Sequence, residues 1–424
     1  MIGATNRRRT AIAGTFALAA GLLAACGGNG DDGGDDGSSA ANGGGTYSWW
    51  DPYPQHEDGS DWAQRVAACG QEAGVEIDRT AFDTTALTNQ ALLAGQEGNA
   101  PDVILLDNPA VSTLAEAGML ETMSEFGLDT SEIDPNLLAA GDLDGESYGI
   151  PIGANTLALF YNAEILDEAG VDPASITDWA SLTEALEAAD GAGYRGITFA
   201  GIGTEEGSFQ FLPWFWGAGA DLRQLDSPEA VAALELWVGW LEDDLAPQSV
   251  IDNSQNTTWE EFLTGEFAFV ENGTWQINSA AEADFEVGVI QIPGRDGGVA
   301  ETPTGGEFIT APIQSDTERY EVTQRIVECM TTTEGTVETG ATFAFYIPPT
   351  EAGQEAILEA ENADLEPWVD AVRSAKGRTS DDLGTDYPLI SEQLWTAVQT
   401  AMSGGASAED ALSSAQEQAE NATS

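Results

Sequence analysis

Residues 101–107 read PDVILLD, with four aliphatic side chains in a row between two aspartates. A strand with one wet face alternates apolar and polar residues. An unbroken aliphatic run of this length predicts a strand buried on both faces, as in a parallel sheet covered by helices. The flanking sequence agrees. TTALTNQALLAGQEG (84–98) precedes the run with helical spacing and stops at Gly98, and VSTLAEAGML (111–120) follows as another helix. Further towards the N-terminus, VEIDRTAF (75–82) reads as a strand. DGSDWAQRVAACGQEAG (58–74) reads as a helix with Trp62, Val66 and Cys69 on one face, and TYSWW (46–50) as a first strand ending in aromatics. Strands alternating with helices predict an α/β domain with a largely parallel sheet.

A second α/β set begins near residue 148. YGIPIGANTLALFYN (148–162) holds two extended stretches, and AEILDEAG (163–170) is a short helix ending at Gly170. TDWASLTEALEAADGAG (177–193) is a helix opened by Thr177 or Asp178, and YRGITFAG (194–201) is a strand. In DSPEAVAALELWVGWLEDD (226–244), Ser227 stands where a cap belongs and Pro228 in the first turn. TTWEEFLTGEFAFVENGTWQI (257–277) reads as a capped helix, a strand and a turn. Both Thr257-x-x-Glu260 and Thr258-x-x-Glu261 fit a capping box. Two more strands, FEVGVIQIPG (285–294) and GEFITAPIQ (306–314), lead into helices at 318–331, 352–361, 364–375, 390–402 and 408–420. No fixed 20–50-residue repeat is present.

The first 26 residues have the layout of an export signal. Arg7-Arg8-Arg9 form a basic start, AIAGTFALAAGLLAA (11–25) is too short for a membrane span, and Leu23-Ala24-Ala25-Cys26 resembles a bacterial lipobox. In that reading Cys26 takes a diacylglycerol and becomes the N-terminus. The next stretch, GGNGDDGGDDGSSAANGGG (27–45), has no apolar residue larger than Ala and cannot build a core. It reads as a flexible tether with an average span of about 24 Å. Anchor and tether predict a protein held at the outer face of the cytoplasmic membrane. Of the remaining cysteines, Cys69 and Cys329, both in helical contexts, either pair in an oxidising compartment or stay as buried thiols.

The 424 residues carry 13 basic and 73 acidic side chains, a net charge of −60, and three of the basic ones lie in the segment expected to be removed. Such a surface repels nucleic acid and anionic headgroups. The charge is spread along the chain, as expected of a protein kept hydrated in high salt. Twelve Trp and fifteen Phe give ample core and also suit a site where sugar faces stack on aromatic rings, although most of these Trp belong in cores. With His56 as the single histidine, a His-based triad or a His-rich zinc site is disfavoured. No G-x-S-x-G, Walker loop or dinucleotide fingerprint follows a strand, and no cofactor is expected.

Several segments, in order, resemble the large extracellular solute-binding proteins of ABC sugar importers, the group that includes maltose-binding and trehalose/maltose-binding proteins. They are SWWDP (48–52), LLAGQEGNAPDVILLD (92–107), AEAGML (115–120), EEGSFQFLPWFWGAGADL (205–222), FAFVENGTW (267–275), PTGGEFI (303–309) and YPLISEQLWTAVQTAMSGGASAEDAL (387–412). The most specific is DGESYGIPIGANTLALFYNAEILDEAGVD (144–172), and the resemblance spans nearly all of 46–420. It implies a two-lobed periplasmic-binding-protein-like α/β fold with a hinge and a ligand cleft between the lobes. Lobe 1 would comprise 46–152 plus about 306–350, and lobe 2 would comprise 153–305 plus about 351–424. The implied role is the substrate-binding subunit of an ABC transporter. It would be a monomer rather than an enzyme, would take a di- or oligosaccharide, and would deliver it to the permease subunits. The alternatives are glycerol-3-phosphate or another small solute on the same fold, or a secreted glycan hydrolase with two carboxylates about 5–10 Å apart.

Candidate site residues follow from both readings. Trp49 and Trp50 alternate in a strand, so one faces outward, and the strand end favours Trp50. Asp107 ends the buried strand, where ligands of open α/β sheets sit, or else it caps the next helix. By resemblance, Trp275 is a stacking aromatic and Trp395 another. Asn155 and Tyr161 lie in the crossover signature, and one of them belongs near the ligand. Gln210 and Trp214 form a cleft wall or are buried. Gly305 and Gly306 admit backbone to the ligand or make a hinge turn. Arg378 stands where relatives carry a cleft-facing Arg-Pro, with Thr379 here in place of the proline.

Overall fold

The computed structural model describes residues 45–424, apart from 342–345, 361–364 and 381–382. The expected signal, Cys26 and all but the last residue of the tether lie outside the described residues. Among the described residues no helix is long and apolar enough to cross a membrane.

The chain begins β1 (Thr46–Asp51), α1 (Asp61–Glu72), β2 (Glu76–Ala81), α2 (Thr84–Glu97), β3 (Val103–Asp107) and α3 (Asn108–Glu116). A short helix α4 (Pro135–Leu138), a hairpin of β4 (Asp142–Leu143) and β5 (Glu146–Ser147), and β6 (Ile150–Pro151) follow. The second set is β7 (Leu157–Asn162), α5 (Ala163–Ala169), α6 (Trp179–Ala192), β8 (Arg195–Thr198), α7 (Glu205–Gly217), α8 (Pro228–Glu242), α9 (Gln255–Phe262), β9 (Phe267–Gly273), α10 (Ile277–Ala281) and β10 (Val287–Ile290). The return comprises β11 (Pro303–Thr304), β12 (Glu307–Thr310), α11 (Tyr320–Thr331), α12 (Thr333–Thr339), α13 (Glu351–Ala360), α14 (Glu366–Ser374), β13 (Lys376–Gly377), α15 (Asp386–Met402) and α16 (Ala408–Ala422).

Two sheets result. The first has order β2-β1-β3-β12-β6, with β1 parallel to β2 and β3, and β12 antiparallel to β3 and β6. The second has order β10-β7-β9-β8, and only β8 and β9 run parallel. As its composition predicts, β3 is a central strand, with Val103 to Leu106 all buried. Each such side chain contributes about 1.5–3 kcal/mol by leaving water.

Local signals act where the sequence places them. Ser60 caps α1, which buries Trp62, Val66 and Cys69. Asp178 caps α6 in a reciprocal box with Ser181. Ser227 accepts from the Ala230 N–H, with Pro228 in the first turn of α8. The start of α9 differs from expectation. Ser254, not Thr257 or Thr258, is its cap, accepting from the Thr257 N–H at 3.2 Å. Both threonines therefore lie inside the first turn, and their Glu partners cannot reach back to a cap.

The EEGSFQFLPWFWGAG segment, left unassigned by periodicity, forms α7. Every residue from Gly207 to Trp216 is buried, and Pro213 lies inside the helix. Its rings pack edge-on to those of α8, Phe211 with Trp237 at 5.0 Å and Trp214 with Trp240 at 5.1 Å. The Trp214 indole donates to Glu271 on β9 at 2.8 Å. Burial pushes the Glu271 carboxyl well above its ordinary pKa, against the pull of that bond.

Cys69 on α1 and Cys329 on α11 are joined by a disulfide across a sequence separation of 260, which decides between the two alternatives for these thiols. Closing so long a loop restricts the unfolded chain, so Cys69→Ser/Cys329→Ser is expected to lower unfolding free energy by about 2–5 kcal/mol. Urea titration with and without reductant checks this. Reductant should destabilise the wild type and leave the double variant unchanged.

Candidate functional site

The strand directions decide where a site can lie. The carboxyl ends of β1, β2 and β3 point the same way as the amino end of antiparallel β12, which follows Gly305-Gly306. In the second sheet, the carboxyl end of β9 pairs with the amino end of β7, Gly273 opposite Leu157. These ends meet the segments that pass between the sheets. The segments are tied together by backbone bonds: Asn155 and Gly305 exchange two (3.1 and 2.9 Å), Ala154 and Ile347 exchange two (both 2.8 Å), and β11 runs parallel to β13. Ligands of open α/β sheets sit beyond the carboxyl ends of strands.

Arg378, directly after β13, occupies this crossing with a side chain only 2% exposed. Its Nη2 donates to Asp107 at 2.7 Å and to Asn108 at 2.5 Å, and its Nη1 donates to Glu205 at 2.6 Å and to Asp107 at 3.2 Å. The guanidinium lies 4.9 Å from the centre of the Phe209 ring. Asp107 and Asn108 belong to the first sheet and its helix, whereas Glu205 and Phe209 belong to α7. One buried cation therefore joins both halves. Burial works against its charge, but Asp107 and Glu205 outweigh this and raise its pKa above even the usual arginine value. Glu205 also accepts from Tyr387 at 2.6 Å and Ser391 at 2.5 Å, both on α15. Burial raises the Glu205 pKa and Arg378 pulls it down.

A second polar group adjoins the first. Glu307 stands opposite Asp107 in the β12–β3 register. It accepts from Tyr346 at 2.5 Å, whose hydroxyl lies 3.1 Å from that of Tyr53. Burial is the largest influence on Glu307 and, despite the Tyr346 bond, its pKa rises from 4.5 to about 7. A carboxyl whose folded pKa is raised contributes stability below its unfolded value and loses it as pH rises through the folded value. Glu307→Gln is therefore expected to flatten the fall in stability between pH 5 and 8. The gain at pH 8 should be about 1–2 kcal/mol, after allowance for partial solvent screening. Melts of both proteins at the two pH values test this, and equal slopes would contradict it.

Trp275 is half-buried and packs against the main core of the second sheet and also against the core of the first. Its ring lies over Gly273, where an added Cβ would come within 2.1 Å of it, and 6.4 Å from Phe209. Trp50 is half-buried against Phe82 at 5.2 Å, while Trp49 points inward and donates to Asp51. Asp107 takes the cap role, accepting from the Asn108 N–H at the start of α3, and it also grips Arg378. Asn155 is buried at the crossing. Its partner Gly305 has its N–H taken by the Asn155 carbonyl, and a Cβ there would lie 2.1 Å from the Asn155 Oδ1. Gly306, at φ 118°, would bring a Cβ within 2.5 Å of the Gly153 carbonyl oxygen, so this pair makes a close backbone crossing. Trp395 is half-buried on α15, one turn beyond Ser391.

Three candidates lie elsewhere. Gln210 accepts from the Ala200 N–H inside the second core, and Trp214 is fully buried there. Tyr161 sits at the far end of β7, over Gly288. Sequence reasoning missed Asn108, Glu205, Glu307, Tyr53, Tyr346, Tyr387 and Ser391. The buried hydroxyls of Thr274 and Thr304, next to Trp275 and Gly305, have no hydrogen-bond partner among the described residues, so they retain capacity for one. Among the described residues, no group of His, Cys, Asp and Glu is placed to hold a metal ion.

A family model described as bacterial extracellular solute-binding protein matches residues 64–366. The chain is 25% identical over 339 residues to a maltooligosaccharide ABC transporter solute-binding lipoprotein of Streptococcus pneumoniae, covering 77% of each. Among solved structures it is similar to an ABC transporter solute-binding protein of Thermotoga lettingae bound with α-D-tagatose. That match has TM-score 0.78 and 21% identity, and covers 89% of this chain and 99% of that one. It is also similar to the cyclic α-maltosyl-1,6-maltose binding protein of Arthrobacter globiformis, with TM-score 0.69 and 25% identity, covering 90% of this chain and 99% of that one.

Proposed function

The chain belongs to the bacterial extracellular solute-binding proteins, and on that premise we propose that it is the solute-receiving subunit of an ABC importer and that its solute is a sugar, first of all a maltooligosaccharide. The observation that carries this reading is that, at the crossing between the two sheets, Phe209 links the half-buried Trp275 to the Asp107–Arg378–Glu205 group. An aromatic face takes the C–H side of a pyranose, and the Asp107 carboxylate and nearby hydroxyls take its hydroxyls. The solute binds the closed arrangement of the lobes better than the open one, and the permease receives the closed form. The lobes divide as 46–152 with about 306–350, and 153–305 with about 351–424.

The protein acts as a monomeric binder and not as an enzyme. The relative of Streptococcus pneumoniae is a solute-binding lipoprotein rather than an enzyme, which supports this reading. Cys26 carries the lipid that holds the chain outside the cytoplasmic membrane, after removal of residues 1–25. The acidic surface is an adaptation to salt. Melting temperature is therefore expected to rise from dilute buffer to molar salt as repulsion among the 73 acidic residues is screened. An unchanged melt across that range contradicts the adaptation.

A thermal-shift screen in high salt tests the function, using maltose, maltotriose, longer glucans, glycerol-3-phosphate and a polyamine. One glycan class should raise the melting temperature by several degrees at saturating concentration and be recovered intact. A shift with phosphate or amine alone replaces the ligand, and a shortened glycan replaces binder with hydrolase.

A further inference from the structure

We propose that Glu205 is a positioning residue for solute capture: it holds the Arg378 guanidinium at the crossing, and through it sets the Asp107 carboxylate and the Phe209–Trp275 ring pair. The inference rests on the sugar-capture reading above. Glu205 is the first residue of α7, where unpaired backbone N–H groups favour an anion, and its cap Thr204 supplies no side-chain bond. Its carboxylate is engaged on both oxygens. Oε1 accepts from Arg378 and from the Tyr387 hydroxyl, and Oε2 accepts from Ser391. The bonds thus come from two separate elements, the segment after β13 and one face of α15.

Arg378 depends on this grip. Its Nη1 is shared between Glu205 at 2.6 Å and Asp107 at the longer 3.2 Å, so Glu205 is the stronger partner of that nitrogen. Without the Glu205 charge, the guanidinium is held by Asp107 and Asn108 on the first-sheet side alone. Two consequences follow from the geometry. The plane of the guanidinium over Phe209 is released, and Phe209 is the ring beside Trp275. Asp107, 17% exposed and gripped bidentately, also loses the fixed partner that orients its remaining lone pairs. Glu205 therefore acts on a solute without touching it.

The test measures maltotriose affinity of the full-length protein by titration of its tryptophan fluorescence. Glu205→Gln is expected to weaken binding about tenfold, the usual worth of a hydrogen bond to a charged group. Glu205→Asp, which keeps the charge, should recover most of it. Tyr387→Phe removes one donor to the same oxygen without changing charge and should weaken binding by about two- to fivefold, so it serves if Glu205→Gln does not fold. The disulfide variant Cys69→Ser/Cys329→Ser, which alters α1 and α11 and none of the partners of Glu205 or Arg378, should keep wild-type affinity and so separates positioning from general loosening. Wild-type affinity in Glu205→Gln, or a Glu205→Asp as weak as Glu205→Gln, overturns the inference while leaving the sugar reading intact. A wild-type protein that binds neither maltotriose nor any other glycan overturns both.

Discussion

Replacing Arg378 with alanine is expected to be the most damaging single change at the crossing, lowering unfolding free energy by about 3–5 kcal/mol. The side chain is 2% exposed, and it is the cation between Asp107 and Glu205. Its removal leaves two carboxylates, 17% and 22% exposed, facing each other with no counter-charge. The sign of the pH dependence follows. Burial already raises the Glu205 pKa against the pull of Arg378, so without Arg378 this carboxyl takes up a proton still more readily in the folded variant than in the unfolded chain. The deficit of Arg378→Ala should therefore shrink as pH falls and Glu205 becomes neutral. Arg378→Lys keeps a charge but cannot fork between Asp107 and Glu205, so it should fall between wild type and alanine. Urea unfolding of the three proteins at pH 7.5 and pH 5 in molar salt measures all of this. A loss under about 1 kcal/mol for alanine at pH 7.5 would mean that the ion group is not the tie between the two halves.

Replacing Trp275 with alanine is expected to strike binding harder than stability. A ring face stacked on a sugar is worth about 1–3 kcal/mol, so affinity for the solute should drop by about 5- to 150-fold, and the binding-induced change in fluorescence should vanish. Some stability goes too, because the ring packs against both cores. A half-buried Trp truncated to Ala should cost about 1–3 kcal/mol, below the 3–5 typical of a fully buried one. Trp275→Phe keeps an aromatic face over Gly273 and should recover part of the affinity. If Trp275→Ala binds as wild type does but melts far lower, the ring is a packing element and the solute lies elsewhere.

These two residues also mark how far the sequence can be read. β3 is legible because four consecutive aliphatic residues admit one physical explanation. The Ser227-Pro228 start of α8 is legible because cap and first-turn proline act within four residues. α9 starts earlier than two Thr-x-x-Glu patterns suggest, since Ser254 claims the Thr257 N–H first. α7 escapes detection because it is buried all round. Phe209, Phe211, Trp214, Phe215 and Trp216 cover every face, and the amphipathic period that reveals surface helices is absent. Asp107 is legible as a strand-end position, and Trp275 is singled out by resemblance.

Arg378 was found by resemblance as a ligand-facing residue, whereas every donor nitrogen but Nε is engaged by protein groups. Its partners were not legible. Glu205 and Asp107 lie 173 and 271 residues from it in sequence. Among 73 acidic residues, nothing local distinguishes the two that meet a buried cation. Glu307 and Tyr346 were hidden for the same reason, since their roles arise from the β12–β3 register and from burial, which no short motif encodes.

Calorimetric titration of the wild-type protein with maltotriose in high salt, with the sugar analysed afterwards, tests the central claim most directly. Saturable one-to-one heat and an unaltered trisaccharide are expected, with the heat abolished or greatly weakened in Trp275→Ala. No heat with maltotriose or any other glycan, under conditions where the protein is folded, would contradict the claim that the crossing receives a sugar.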